Sequence, residues 1–312
     1  MRNTSELSFV FRWPTPFQRD EFSGPHNLCY TSIQMDVLYD KLRELQQLPQ
    51  FPAIATKVLR VLSHDDANVR EISDFIRADA ALAAGLLRVA NSALYAFPSP
   101  ITSIQKALMM LGFDETKRFI LTFSTQNFFQ TALRLDLLRG MWRHSLACAW
   151  IAEELSTACS LSQGRGDPAY TAGLLHDIGR LGLFVLHPRE YAALLAGPSD
   201  GKTLLERERE ALGIDHCEAG GWLARHWGLP EEVDRVAADH HRLPATTAFD
   251  LLDLVRVAVL MTDSLGFDVM PPSHSYTLPE IRAFLPHAAQ YRFDPDPAAM
   301  KARIASKLEA FD

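Results

Sequence analysis

The sequence predicts an all-α protein, a multi-helix bundle of two closely packed helical halves. Three observations lead there. Apolar residues recur at helical spacing over most of the chain, helix-start and helix-stop residues bracket those stretches, and no convincing run alternates apolar and polar side chains as a strand would.

Residues 1–34 stand apart. Their aromatic, proline and glycine content has no sustained helical period and predicts a poorly ordered extension. Met35 opens the first good helical segment and is a candidate start of translation, which a mass measurement on native protein decides. Residues 35–135 then read as a series of short helices. Ile54, Val58, Leu59 and Leu62 form one stripe, and Asn68 with Glu71 three residues later marks the next helix start, feeding Ile72, Phe75 and Ile76. Leu82, Leu86, Leu87 and Val89 follow Asp79; Ile104, Ala107, Leu108 and Leu111 form a stripe stopped by Gly112.

Residues 136–270 are again helical but richer in histidine, and 271–312 form a C-terminal helical segment. Asp167-Pro168 predicts a helix start with proline at the first position, running through Leu174 and Leu175 towards His176. Thr203 and Glu206 predict a capping box, and Gly228-Leu229-Pro230 stops one helix and starts another. An apolar helix runs from Leu251 to Leu265, and residues 297–311 form the last amphipathic one, with Ile304, Leu308 and Phe311 on its face. The boundary near 135 rests on the change in histidine content rather than on a linker, so the halves are expected to pack tightly.

Composition narrows the function classes. A net charge of −7 with both signs interspersed repels a phosphate backbone, so nucleic acid is not the expected partner, and Arg134, Arg139 and Arg143 read as a solvated helix face. No run reaches the ~18 apolar residues of a membrane span, and the N-terminus lacks signal-peptide organisation. Cys29, Cys148, Cys159 and Cys217 lack CxxC spacing and predict no disulfide framework, with Cys148 a small core residue. The cytoplasm is the consistent compartment.

Metal-binding side chains gather in the second half at His144, His176-Asp177, His216, His240-His241 and Asp263. Imidazole nitrogens with carboxylate oxygens suit Fe, Mn, Zn or Ni, and a bridging carboxylate can hold two ions. Such a pair clamps and polarises a phosphate ester and generates hydroxide near neutral pH. His176-Asp177 is expected at the inner edge of a helix, and Asp263 lies in the apolar run VAVLMTDSLG; each buried carboxylate wants a partner. Read from residue types alone, the set fits a metal site and fits hydrogen-bonded structural histidines equally well. His226 reads as packing at a helix end, His187 as loop, and His26, His64, His274 and His287 as unpartnered. Glu206, Glu208, Glu210 and Glu218 read as solvated faces, with Glu218 close enough to His216 to orient it. Cys217, beside His216, has no assigned role.

LLHDIGRL at 174–181 resembles the signature of the HD superfamily of metal-dependent phosphohydrolases, and the order H…HD…H…HH…D is similar to that of its HD-GYP branch. That likeness implies His144, His176, Asp177, His216, His240, His241 and Asp263 as ligands for one or two divalent ions, with His176, Asp177 and Arg180 in catalytic roles. Active cyclic-di-GMP phosphodiesterases commonly carry lysine after HDIG; Arg180 keeps the charge but not the shape. The GYP element is replaced by HHRLPATTAFD.

LPQFPAIATKVLRVL, ISDFIRADAALAAGLLRVANSALYAF and SPITSIQKALMMLGF resemble the opening of HDOD proteins, and the likeness runs over about 38–265. It implies a bacterial signal-transduction or regulatory module acting through protein partners, with an HD-type metal site. The alternative it implies is a metal-dependent phosphohydrolase or phosphodiesterase taking a nucleotide second messenger. A third reading is a metal or ligand sensor whose helix packing shifts without turnover. Input and output are then expected from other chains, and the oligomeric state is not set by the sequence.

Overall fold

The computed structural model describes residues 32–62, 69–129, 136–161, 168–197, 201–244, 249–270 and 275–311. Most of the 1–34 extension, Asn68, the boundary near 135, Arg134, Asp167, His26, His64 and His274 lie outside the described residues.

Leu38, Leu42 and Leu45 recur on one face of α1 (Ser32–Leu45) and are buried; this helix begins before Met35. α2 (Ala53–Leu62) buries Ala55, Val58 and Leu59, and α3 (Val69–Ala78) buries Ile72 and Ile76. Asp79 opens α4 (Ala80–Ala90), its carboxylate accepting from the Ala81 and Leu82 amides at 2.9 and 3.0 Å. α5 (Ile104–Leu111) stops at Gly112, where φ of 83° suits a residue without Cβ. The Asn91 side chain ties the segment between α4 and α5. Its amide donates to the Leu87 and Ile101 carbonyls at 2.7 and 2.8 Å, and its oxygen accepts from the Ile101 amide at 2.8 Å. Asn91→Ala should therefore cost about 2 kcal/mol by leaving those backbone groups unpaired, read as a lower thermal midpoint; an unchanged midpoint would show that the tie is dispensable.

α6 (Phe113–Phe129) is followed by α7 (Asp136–Ala158), α8 (Pro168–Leu175), α9 (Ile178–Leu186) and α10 (Pro188–Ala196). α11 (Leu204–Leu212) carries the expected Thr203–Glu206 capping box, and a second box, Asp215–Glu218, opens α12 (His216–His226). α13 (Glu231–Asp239), α14 (Leu251–Ser264), α15 (Leu278–Arg282), α16 (His287–Arg292) and α17 (Pro297–Glu309) complete the order. Among the described residues there is no strand, and no described helix is long and apolar enough to cross a membrane.

One continuous core runs through both halves. α1 lies against α9 and α12, and α6 against α8. Phe51 stacks on Trp227 with ring centroids 5.5 Å apart, the Thr122 and Tyr170 hydroxyls share a 2.7 Å hydrogen bond, and His187 Nε2 reaches Glu44 Oε2 at 3.0 Å. Apolar faces left on each half are thus buried against the other. Within the second half, α7, α8, α9, α12, α13 and α14 pack around one another and place the histidines together.

Candidate metal centre

Contrary to the sequence expectation, His176 and Asp177 do not lie within a helix. α8 ends at Leu175 and α9 starts at Ile178, with Asp177 as its N-cap. The reason is geometric: consecutive helical residues point about 100° apart, whereas this break turns both side chains towards one point. His144 comes from α7, Arg180 from the first turn of α9, His216 from the first position of α12, and His240 caps α13 with His241 next to it.

Asp177 is the hub. Its Oδ2 lies 3.6 Å from His176 Nε2, 3.8 Å from His144 Nε2 and 3.3 Å from Arg180 Nη1. Its Oδ1 lies 3.3 Å from His240 Nε2 and 3.5 Å from His216 Nε2. His144 and His176 approach each other through their Nε2 atoms at 3.2 Å, as do His216 and His241 at 2.8 Å. Each oxygen of one carboxylate therefore faces its own pair of histidines.

The Nδ1 atoms explain why the Nε2 atoms converge. His176 Nδ1 donates to the Gly173 carbonyl at 2.7 Å, His144 Nδ1 to the Phe267 carbonyl at 3.0 Å, and His240 Nδ1 to the Val236 carbonyl at 3.2 Å. His216 Nδ1 donates to Glu208 Oε2 at 2.6 Å. Carbonyl and carboxylate oxygens only accept, so these four rings carry their proton on Nδ1 and turn a bare Nε2 lone pair inward. His144 and His176 then cannot hydrogen-bond to each other, because neither Nε2 holds a proton. Both Asp177 oxygens and His240 Nε2 are buried without a hydrogen bond of good geometry among the described residues.

These observations fit a divalent cation. Ligand atoms about 2.0–2.1 Å from a metal stand roughly 3.0–3.4 Å from one another, close to the spacings found here. The buried Asp177 carboxylate at the hub is the anionic donor that such a cation would take. Burial pushes His144 down to about 4 and holds His176 and His216 well below the ordinary range, leaving neutral rings able to ligate. Burial opposes the Asp177 charge, but the Arg180 guanidinium 3.3 Å away favours it and holds the carboxyl well below the usual range. One group thus comprises His144, His176 and Asp177, and another His216, His240 and His241.

The expectations for Asp263, Glu208 and Glu218 change, and Cys217 gains a place. Asp263 stands behind His144, its Oδ1 3.6 Å from Nδ1 rather than on the converging Nε2 side, and burial pushes its carboxyl up to about 7. Cys217 touches the far edge of the His240 ring, Sγ to Nδ1 at 4.0 Å. Glu208, expected on a solvated face, is fully buried and orients His216; Glu218 instead closes the capping box with Asp215. A signal for Glu208 exists in the sequence, since it lies between Leu204 and Leu212 at four-residue spacing, on the apolar stripe of its helix. His241 is the solvent-exposed member of the set. Arg256 of α14 holds the turn before His240, donating to the Asp239 carbonyl at 3.0 and 3.1 Å and to its carboxylate at 2.6 Å.

Comparison with known proteins agrees with this architecture. The HDOD domain family model matches residues 48–243. A crystal structure of an HDOD domain protein of unknown function from Geobacter sulfurreducens is 24% identical, covers 89% of this chain and 96% of its own, and superposes with a TM-score of 0.67. A Shewanella amazonensis SB2B protein provisionally described as a phosphohydrolase is 22% identical over 86% of this chain and 96% of its own, at 0.62. A Marinobacter aquaeolei VT8 protein provisionally described as a signal transduction protein is 20% identical over 89% of this chain and 65% of its own, at 0.68. The matched stretch spans 39% and 17% of the length of two curated relatives.

Proposed function

The chain belongs to the HDOD domain family, and from that premise we propose that it is a bacterial, cytoplasmic signalling module that works through protein partners and carries an HD-type metal centre as a structural or sensing element. The observation that supports this reading is a convergent but closed constellation. His144, His176, Asp177, His216 and His240 are all buried, and only His241 and Asp263 open towards solvent. Sites that hold metal for structure fill their coordination with protein atoms, whereas sites that turn over keep a position open.

A second reading, a metal-dependent phosphohydrolase acting on a nucleotide second messenger, is favoured by one feature: Asp177 offers one oxygen to each histidine pair. A bound pair of divalent ions would supply Lewis acidity and an activated water there. The chain's own part would be positional. Asp177 holds the two histidine groups in register, the carbonyl-anchored rings keep their lone pairs aimed, and Arg180 places a buried positive charge beside Asp177, where a phosphate oxygen would need one.

The two readings separate in one experiment. Purified, unchelated protein is analysed for Fe, Mn, Zn and Ni and then assayed with bis(p-nitrophenyl) phosphate. We expect about one or two equivalents of metal per chain and no turnover above a chelated control. Metal together with turnover that chelation removes would establish the hydrolase reading instead, and a chain that takes up no metal even on reconstitution would refute both.

A further inference from the structure

Glu208 is the buried acid at the centre that the ligand pattern leaves unexplained. Its neighbours on the same stripe of α11, Leu204 and Leu212, are apolar, so packing alone would favour another aliphatic side chain there. Three donors nevertheless converge on its carboxylate: His216 Nδ1 at 2.6 Å and the His216 backbone amide at 2.9 Å on Oε2, and the Tyr191 hydroxyl on Oε1. Tyr191 is itself fully buried on α10. Helices α10, α11 and α12 therefore meet at one carboxylate whose purpose is legible only through His216.

His216 also differs from its companions. The Nδ1 atoms of His144, His176 and His240 donate to neutral backbone carbonyls, with the Asp263 carboxylate beyond hydrogen-bond reach of His144 at 3.6 Å, and only His216, of these four, donates its Nδ1 proton directly to a carboxylate. An anion behind Nδ1 makes Nε2 a better electron donor and fixes ring orientation more firmly than a carbonyl does. We propose that Glu208, held by Tyr191, is a positioning residue that strengthens His216 as a metal ligand and thereby sets the affinity of the His216–His240–His241 side of the centre. This rests on the metal-centre reading above.

The test uses the full chain and zinc alone, with affinity measured by competition against a chromophoric chelator. Glu208→Gln keeps the shape and removes the charge, and should weaken zinc binding about 10–100-fold. Tyr191→Phe should weaken it in the same direction by less. Glu218→Gln, on the same helix end as His216 but committed to the capping box, should leave zinc affinity unchanged even where it lowers the thermal midpoint, which separates positioning from general stability. Glu208→Gln binding zinc like the wild type would overturn the proposal; if that variant does not fold, unchanged affinity in Tyr191→Phe does so. Should the wild-type chain bind no zinc, the metal reading fails first, and nitrogen-15 NMR of His216 decides the positioning claim separately. Glu208→Leu should then release the Nδ1–H tautomer, and its persistence would overturn the claim.

Discussion

Asp177→Ala is expected to strip the chain of metal while leaving most of its helices in place. Both Asp177 oxygens are buried and face bare imidazole nitrogens at 3.3–3.8 Å, so the residue contributes to both sides of the centre at once. Its removal takes a ligand from each, and the loss in affinity should exceed the ~100-fold that a supporting residue alone can cause. Far-UV circular dichroism should change little, because the helices around the site are held by the shared apolar core rather than by Asp177. Chelation gives the companion result. A ligand present at ~100 times its dissociation constant stabilises the folded state by about 2.7 kcal/mol. EDTA should therefore lower the melting midpoint of the metal-loaded wild type and leave Asp177→Ala unmoved. Full metal content in the variant would remove Asp177 from the centre.

Gly179→Ala is expected to be among the most damaging single-methyl additions in the molecule. A Cβ at this position would stand 2.0 Å from the His216 carbonyl oxygen, 2.4 Å from the Gly220 amide nitrogen and 2.8 Å from the Gly220 Cα. All three are backbone atoms of α12 and cannot rotate away, so α9 and α12 must separate. Overpacking of this kind costs about 3 kcal/mol or more, and it acts where Asp177 and His216 face each other from the two helices. The expected outcome is a lower unfolding midpoint together with weaker metal retention. A variant that melts with the wild type would mean that the two helices can part without loss.

Much of the helical frame is legible in the chain itself. Asp79, the Thr203–Glu206 box and Gly112 act through hydrogen bonds and backbone angles within a few residues, so their signals survive in sequence and the structure places helix ends at each. Stripes such as Leu82, Leu86 and Val89 similarly announce the face that is buried. The site was legible only as a set of residue types. Neither the break at His176-Asp177 nor the use of both Asp177 oxygens follows from local spacing, because each depends on where α7, α12 and α13 lie. Glu208 shows the limit most clearly: its place between Leu204 and Leu212 signals a buried face, but only the structure shows Tyr191 and His216 closing over its carboxylate.

The sequence by itself therefore determined an all-α chain, the position of many helix ends and the inventory of histidines and aspartates able to bind metal, since these are properties of short stretches. The tertiary structure alone decided which atoms of that inventory meet. It turned four imidazoles by anchoring their Nδ1 atoms, drew Asp177 between two histidine groups, set Asp263 behind His144 and buried Glu208 beneath His216. The physical reason is that ring orientation and carboxylate placement are fixed by partners on other helices, whose positions depend on how the whole core packs.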